Sequence, residues 1–326
     1  MKRRRKTMDK LVTFLAHAVF MGTPLLFGTV GEILNEKSGH LNLGVEGIMA
    51  MGACAGFMTG LKTNSLILAL LAAFAVGALT SLIYAFLTIT MMANQNVTGL
   101  TLTIFGIGLS NFIGELMLSR SATNNLKLPE GISESLRTVE IPVLSKIPVV
   151  GEIFFSQTVF TYLSVIIAVV LFIYLTRTKK GLNLRTIGES PAVADAVGIN
   201  VTLYKYINVL IGGGICGIGG AFCSMIICGG VWMPNSVNGL GWISVALVIF
   251  ATWNPLKAIF GAYVFGAFSV LKYYFPKFES FSIPNAFFDM LPFVITALIL
   301  IVTSIRQSKE KSIPEACGLN YFREER

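Results

Sequence analysis

The stretch GHLNLGVEGIMAMGA, Gly39 to Ala53, lies between two long apolar runs and carries four glycines, Asn42 and Glu46. Glycines weaken a helix. A charged group at the centre of a bilayer costs at least ~2.5–3.5 kcal/mol on insertion scales, so an intramembrane carboxylate faces a bundle interior or a wet cavity. The stretch therefore reads as an interrupted or re-entrant segment, irregular backbone being tolerated at membrane depth where protein or a wet cavity surrounds it.

The flanking sequence sets that context. Of 326 residues, 54% are hydrophobic and 13% charged, against about 25% charged in an ordinary soluble domain. Apolar segments fall at 11–33, 40–60, 65–94, 97–119, 158–176, 204–231, 240–253, 256–275 and 285–305. Segments of this length and character are candidate membrane helices. The chain reads as an all-α membrane protein, a polytopic helical bundle with a single membrane domain over 11–305. A basic tail, 1–10, precedes it and a polar tail, 306–326, follows. KRRRK followed by LVTFLAHAVFMGTPLLFGTV resembles a signal peptide, but the run is long for one and no A-x-A site follows, so it reads as a retained first helix.

The net charge of +8 raises nucleic-acid binding, and the distribution argues against it. Basic residues gather at Lys2, Arg3, Arg4, Arg5, Lys6 and Lys10, at Arg177, Lys179, Lys180 and Arg185, and at Arg306, Lys309, Lys311, Arg323 and Arg326. They flank apolar runs, which is the positive-inside pattern, and no basic soluble module is visible. The five cysteines include no C-x-x-C pair and there are two histidines, which argues against a Cys/His metal site.

The loop 120–157 mixes both charge signs and suits the outer side, whereas the loop 177–203 begins basic and suits the cytoplasm. With both termini also cytoplasmic, the crossings before residue 177 must be even, yet five candidates precede it. A non-crossing 40–53 segment restores parity. About eight crossings plus one interrupted segment follow, with nine or ten open.

On a helix Asn42 and Glu46 would share a face. They line a substrate path or brace its walls; alternatively Glu46 bonds a backbone amide of the interrupted segment or sits near a membrane interface. In TKKGLNLRTIGESPAVADAVGINV, Ser190 suits an N-cap, Pro191 the first helical position and Gly198 the residue after the end. That predicts a short helix over 191–197, outside the membrane, able to dock on a partner. Gly212, Gly214 and Gly217 spell G-x-G-x-x-G, but within an apolar run and without an acidic residue downstream until Glu279. Close helix packing is the physical reading, not a dinucleotide site. There is no P-loop motif, so ATP hydrolysis by that route is absent from the sequence. Trp242 and Trp253, eleven apart, fall on roughly one helical side; Trp242 could stack on a flat ligand, and either suits an interfacial belt.

Three blocks, GEILNEKSGHLNLGVEGIMAMGA (31–53), GLNLRTIGESPAVADAVGINV (181–201) and GLGWISVALVIFATWNPLKAIFGA (239–262), together resemble the permease subunits of ABC importers that include the ribose and branched-chain amino-acid permeases. A weaker block is NVTGLTLTIFGIGLSNFIG (96–114). The likeness is nearest to the shorter nucleoside permease that works with a basic-membrane-protein-type lipoprotein. It implies a multi-pass permease of the plasma (inner) membrane moving nucleosides, not itself an enzyme and with no cofactor or metal in this chain. Implied partners are a tandem ATPase, a second, longer permease and a substrate-binding lipoprotein. The substrate-pathway candidates are Asn42, Gly44, Glu46, Gly47 and Trp242. The implied coupling segment holds Arg185, Gly188, Glu189, Ser190, Pro191, Asp195 and Gly198. His40 and CSMIICGG (223–230) depart from the pattern. A sugar or branched-chain amino-acid permease, an ion-coupled secondary carrier and a membrane scaffold are the other readings; intramembrane Glu46 serves the carrier, and the absence of a clear internal repeat counts against it.

Overall fold

The computed structural model describes residues 2–121, 125–142, 144–274, 284–305 and 313–322. The side chains of Lys2, Arg3, Arg4, Arg5 and Lys6, and the tail residues Arg306, Lys309, Lys311, Arg323 and Arg326, lie outside the described part. The helices are α1 (Lys2–Lys37), α2 (Val45–Thr63), α3 (Leu66–Ala85, continued by a π-turn over Phe86–Thr90), α4 (Gln95–Ser119), α5 (Glu130–Ser135), α6 (Val150–Phe154), α7 (Val159–Arg177), α8 (Lys179–Glu189), α9 (Pro191–Ala196), α10 (Val201–Phe222, continued by a π-turn over Cys223–Ile227), α11 (Leu240–Phe250), α12 (Pro255–Tyr274) and α13 (Asn285–Ile305). A two-residue antiparallel pair, Val139–Glu140 with Ser156–Gln157, sits in the loop between α4 and α7.

Among the described residues, six helices are long and apolar enough to cross a membrane: Lys10–Lys37, Leu66–Thr90, Gln95–Ser119, Val159–Arg177, Val201–Ile227 and Pro255–Tyr274. Leu240–Phe250 and Ala286–Leu298 are shorter apolar helices. The run 240–253, read from sequence as one more crossing, is thus a helix of eleven residues. At ~1.5 Å per residue it covers ~16 Å, about half of a ~30 Å hydrocarbon core.

α2 lies inside the bundle, packed by α1, α3, α4, α10 and α11. Glycine makes these approaches close enough. A Cβ on Gly220 would collide with the Met49 carbonyl, and one on Gly213 with the Ser81 hydroxyl. Gly217 meets Gly52, Gly77 and the Ala73 carbonyl. The G-x-G-x-x-G run is therefore a packing surface, as its apolar setting implied.

The helices run between two faces. The 125–157 face holds the start of α1: Gln157 Nε2 donates to the Ala16 carbonyl at 3.2 Å, and Val12 and Val19 pack on Ile153. Asn64, after α2, accepts the Ile132 amide there at 2.7 Å, and Tyr274, ending α12, meets His17 at 2.6 Å. The 178–200 face holds the end of α1, where the Lys37 carbonyl packs on Gly188, and the segment 313–322, whose Ala316 amide donates to the Gly188 carbonyl at 3.0 Å.

This corrects the expectation that both termini share one face. The start of α1 and residues 313–322 lie at opposite faces, because the five segments before residue 177 each traverse the bundle once. The break in the 40–53 stretch does not turn the chain back. It occupies residues 38–44, and α2 then runs on as a continuous helix.

Candidate functional site

The break is held by side chains from three helices. The Asn42 amide donates to Glu32 Oε1 at 2.9 Å and the Leu41 amide to Gln95 Oε1 at 2.9 Å. The Leu41 carbonyl accepts from the Tyr84 hydroxyl at 2.8 Å, and the Leu43 carbonyl from the Thr103 hydroxyl at 2.9 Å. Backbone that leaves helical pairing inside a bundle needs such partners, since each unpaired buried group costs about 1–3 kcal/mol.

Asn42 and Glu46 do not share a helical face, because Asn42 precedes the helix. Its Oδ1 accepts the Gly44 amide at 2.9 Å, folding the chain into α2. Gly44 and Gly47 are contact points with α4: a Cβ on Gly47 would stand 2.5 Å from the Leu102 carbonyl.

Glu46, 5% exposed, lies in the first turn of α2. Its Oε1 accepts the Gly239 amide at 2.7 Å and its Oε2 the Gly241 amide at 2.6 Å. These amides open α11, so a carboxylate sits on a helix N-terminus, where the orphan N–H groups and the helix dipole both favour it. Gly241 is required at this contact, since a Cβ there would lie 2.5 Å from the Glu46 Cα. Glu46 thus bonds backbone amides, though those at the start of the distant α11 and not of its own segment.

Beside this contact opens a cavity of about 330 Å³, lined by Glu46, Ser110, Asn111, Asn235, Ser236 and Asn238 with apolar Ala50, Ile107 and Val237. Residues 235–239 also wall a second cavity of about 650 Å³. Both volumes fall within the ~300–1,000 Å³ of small-molecule sites. Asn111 ties the loop across the cavity mouth: its Nδ2 donates to Asn235 Oδ1 at 2.8 Å, and its Oδ1 accepts the Asn235 amide at 3.0 Å. Sequence reasoning missed Ser110, Asn111, Asn235 and Asn238. The available signal was the amide-rich PNSVNG run directly before an apolar helix too short to span.

Trp242 follows Gly241, is half-buried and is not among the residues lining this cavity. The expected common helical side with Trp253 is not formed, because α11 ends at Phe250 and Thr252 and Trp253 take φ of 50° and 53°. Trp253 instead donates its indole N–H to Glu36 at the end of α1.

At the 178–200 face, α9 forms as expected. The Gly198 amide bonds the Asp195 carbonyl at 3.0 Å and the Ile199 amide the Ala194 carbonyl at 3.0 Å, with φ of +84° at Gly198. This is a Schellman ending. Ser190 precedes Pro191 without a side-chain capping bond. A second helix, α8, which the sequence reading had not drawn, leads into it. Arg185 and Glu189 are exposed, whereas Gly188 is buried, with Lys37 O 2.5 Å from where its Cβ would stand. Asp195 accepts the Tyr321 hydroxyl at 2.9 Å. Leu182, Val193 and Val197 are 55%, 55% and 69% exposed on this face.

A family model described as the branched-chain amino acid transport system / permease component matches residues 14–302. The nucleoside ABC transporter permease protein NupC of Lactococcus lactis is 32% identical over 97% of this chain and 98% of its own length. TsgC13 of Haloferax volcanii, named as a candidate glucose ABC transporter permease, is 33% identical over 93% of this chain and 95% of its own. The guanosine ABC transporter permease protein NupQ of Bacillus subtilis is 34% identical over 85% of this chain and 87% of its own. With a central helix, α2, enclosed by the bundle, a cavity beside its Glu46 and a family match over most of its length, the chain belongs to the permease components of the branched-chain amino acid transport family, the membrane part of an ABC importer and not its ATPase.

Proposed function

We propose that this permease carries nucleosides, taking them through the cavity beside Glu46. The observation that supports this most is the cavity's wall: primary amides on Asn111, Asn235 and Asn238 and hydroxyls on Ser110 and Ser236 surround about 330 Å³. Amides offer donor and acceptor together, which suits the neutral, mixed donor–acceptor edge of a nucleobase, and hydroxyls suit a ribose. Two of the relatives are named for nucleosides or guanosine. Glucose is the second reading, because TsgC13 is as similar in sequence and the same hydroxyls and amides suit a sugar.

The 178–200 face is cytoplasmic in this reading, and α8–α9 receive the ATPase subunit through Arg185 and the exposed Leu182, Val193 and Val197. A tandem ATPase, a longer second permease and a substrate-binding lipoprotein complete the importer. Nucleotide states of the ATPase favour different arrangements of the permease, and only that difference in stabilisation can move substrate. The test is ATP-dependent uptake of labelled guanosine into vesicles containing the assembled importer. Unlabelled nucleosides should compete and glucose should not. Uptake of glucose unaffected by nucleosides would overturn the substrate class, and uptake without any ATPase subunit would overturn the coupling.

A further inference from the structure

Residues 313–322 are bonded into the coupling face along their length. The Glu315 amide donates to Glu189 Oε2 at 3.3 Å, the Ala316 amide to the Gly188 carbonyl at 3.0 Å, and the Tyr321 hydroxyl to Asp195 at 2.9 Å. Tyr321 also packs on the small cluster of Ile187, Ala194 and Val201 beneath α9. On its other flank the segment reaches the break and the turn before α4. The Gly318 amide donates to the Gly39 carbonyl at 3.3 Å, and Asn320 Nδ2 donates to the Met92 carbonyl at 2.6 Å.

Within this bonded segment Ile313, Leu319 and Phe322 are 44%, 63% and 46% exposed. They lie outside the membrane-spanning helices, where exposed apolar side chains mark a protein partner more than lipid. The segment is bonded to α8–α9 through Glu189 and Asp195, the two helices that carry the exposed Leu182, Val193 and Val197.

We infer that the ATPase-docking surface is composite, α8–α9 forming one part and Ile313–Phe322 the other. The inference rests on the reading of α8–α9 as the ATPase contact. Its occupant is the ATPase subunit, the one soluble partner that an ABC permease must hold at its coupling segment. Because the same segment bonds Gly39, docking there reaches the broken stretch without passing through α8–α9.

The test measures binding of the purified ATPase subunit to the full-length permease in nanodiscs. The double variant Leu319→Glu/Phe322→Glu alters exposed side chains and should weaken binding at least tenfold. Leu144→Glu, at the 125–157 face, should leave it unchanged. Val193→Glu tests the α8–α9 reading by itself. Weakening by Val193→Glu alone would overturn the composite surface and keep the coupling reading; no weakening by either would overturn both. Hydrogen–deuterium exchange of the unaltered complex gives an answer that needs no variant. ATPase binding should slow exchange in both 179–198 and 313–322, and slowing confined to 179–198 would overturn the inference.

Discussion

Replacing Glu46 by Gln separates a brace from a substrate ligand. The carboxylate accepts two amide bonds, at 2.7 and 2.6 Å, from the start of α11. A hydrogen bond to a charged group contributes about 1.5–3 kcal/mol net, and a buried polar group left unpaired costs about 1–3 kcal/mol. Glutamine keeps one acceptor and turns an NH₂ towards the other amide, so it forfeits one charged bond outright, neutralises the other and leaves a donor facing a donor. The expected loss is ~2–4 kcal/mol. On the scale of larger soluble domains, about 2–4 °C per kcal/mol, that lowers the unfolding temperature by ~4–16 °C. Alanine, losing both bonds, should lose more. Thermal unfolding in detergent, together with guanosine uptake scaled to the amount of folded importer, reads both effects. Gln should lower the unfolding temperature and the uptake rate while leaving the guanosine concentration for half-maximal uptake within about twofold. An unchanged unfolding temperature with tenfold weaker apparent affinity would refute the brace and make Glu46 a substrate contact.

Gly220→Ala drives a methyl group into the Met49 carbonyl, whereas a Cβ on Gly108 meets nothing within 4 Å; Gly220→Ala should cost ~1–3 kcal/mol or more and reduce membrane accumulation, and Gly108→Ala should be neutral, by quantitative immunoblot. Trp253→Phe leaves the buried Glu36 carboxylate without its indole donor and should cost ~1.5–3 kcal/mol, measured by thermal unfolding. Arg185 is exposed on α8, so Arg185→Glu should leave folding intact while uptake falls with ATPase activity retained; normal uptake would count against the docking role. Gly188→Trp should instead fail to fold, because Gly188 is buried against the Lys37 carbonyl.

What was legible in the sequence had local causes. Pro191 and Gly198 mark the limits of α9 because a proline at the first position and a glycine of positive φ after the last act over a few residues. The glycines of α10 announce close packing because small residues permit it whatever the partner. Glu46 was legible as inward-facing, but its partners lie 193 and 195 positions away and are backbone amides, which leave no trace in residue type. The half-helix α11 looked like a span because apolar composition does not record depth. Parity failed because it counted basic residues near helix ends and so pressed a non-crossing onto the weakest helix, although α2 is enclosed by other helices and needs no apolar face towards lipid.

The central claim is that a nucleoside passes through the cavity beside Glu46. It is tested by labelling Asn111→Cys with a membrane-impermeant maleimide in an importer whose Cys228 and Cys317 are replaced by serine. Asn111 lines that cavity and is half-buried. Saturating guanosine should slow labelling at least fivefold and glucose should not; labelling that guanosine leaves unchanged, in an importer that still takes guanosine up, would contradict the account.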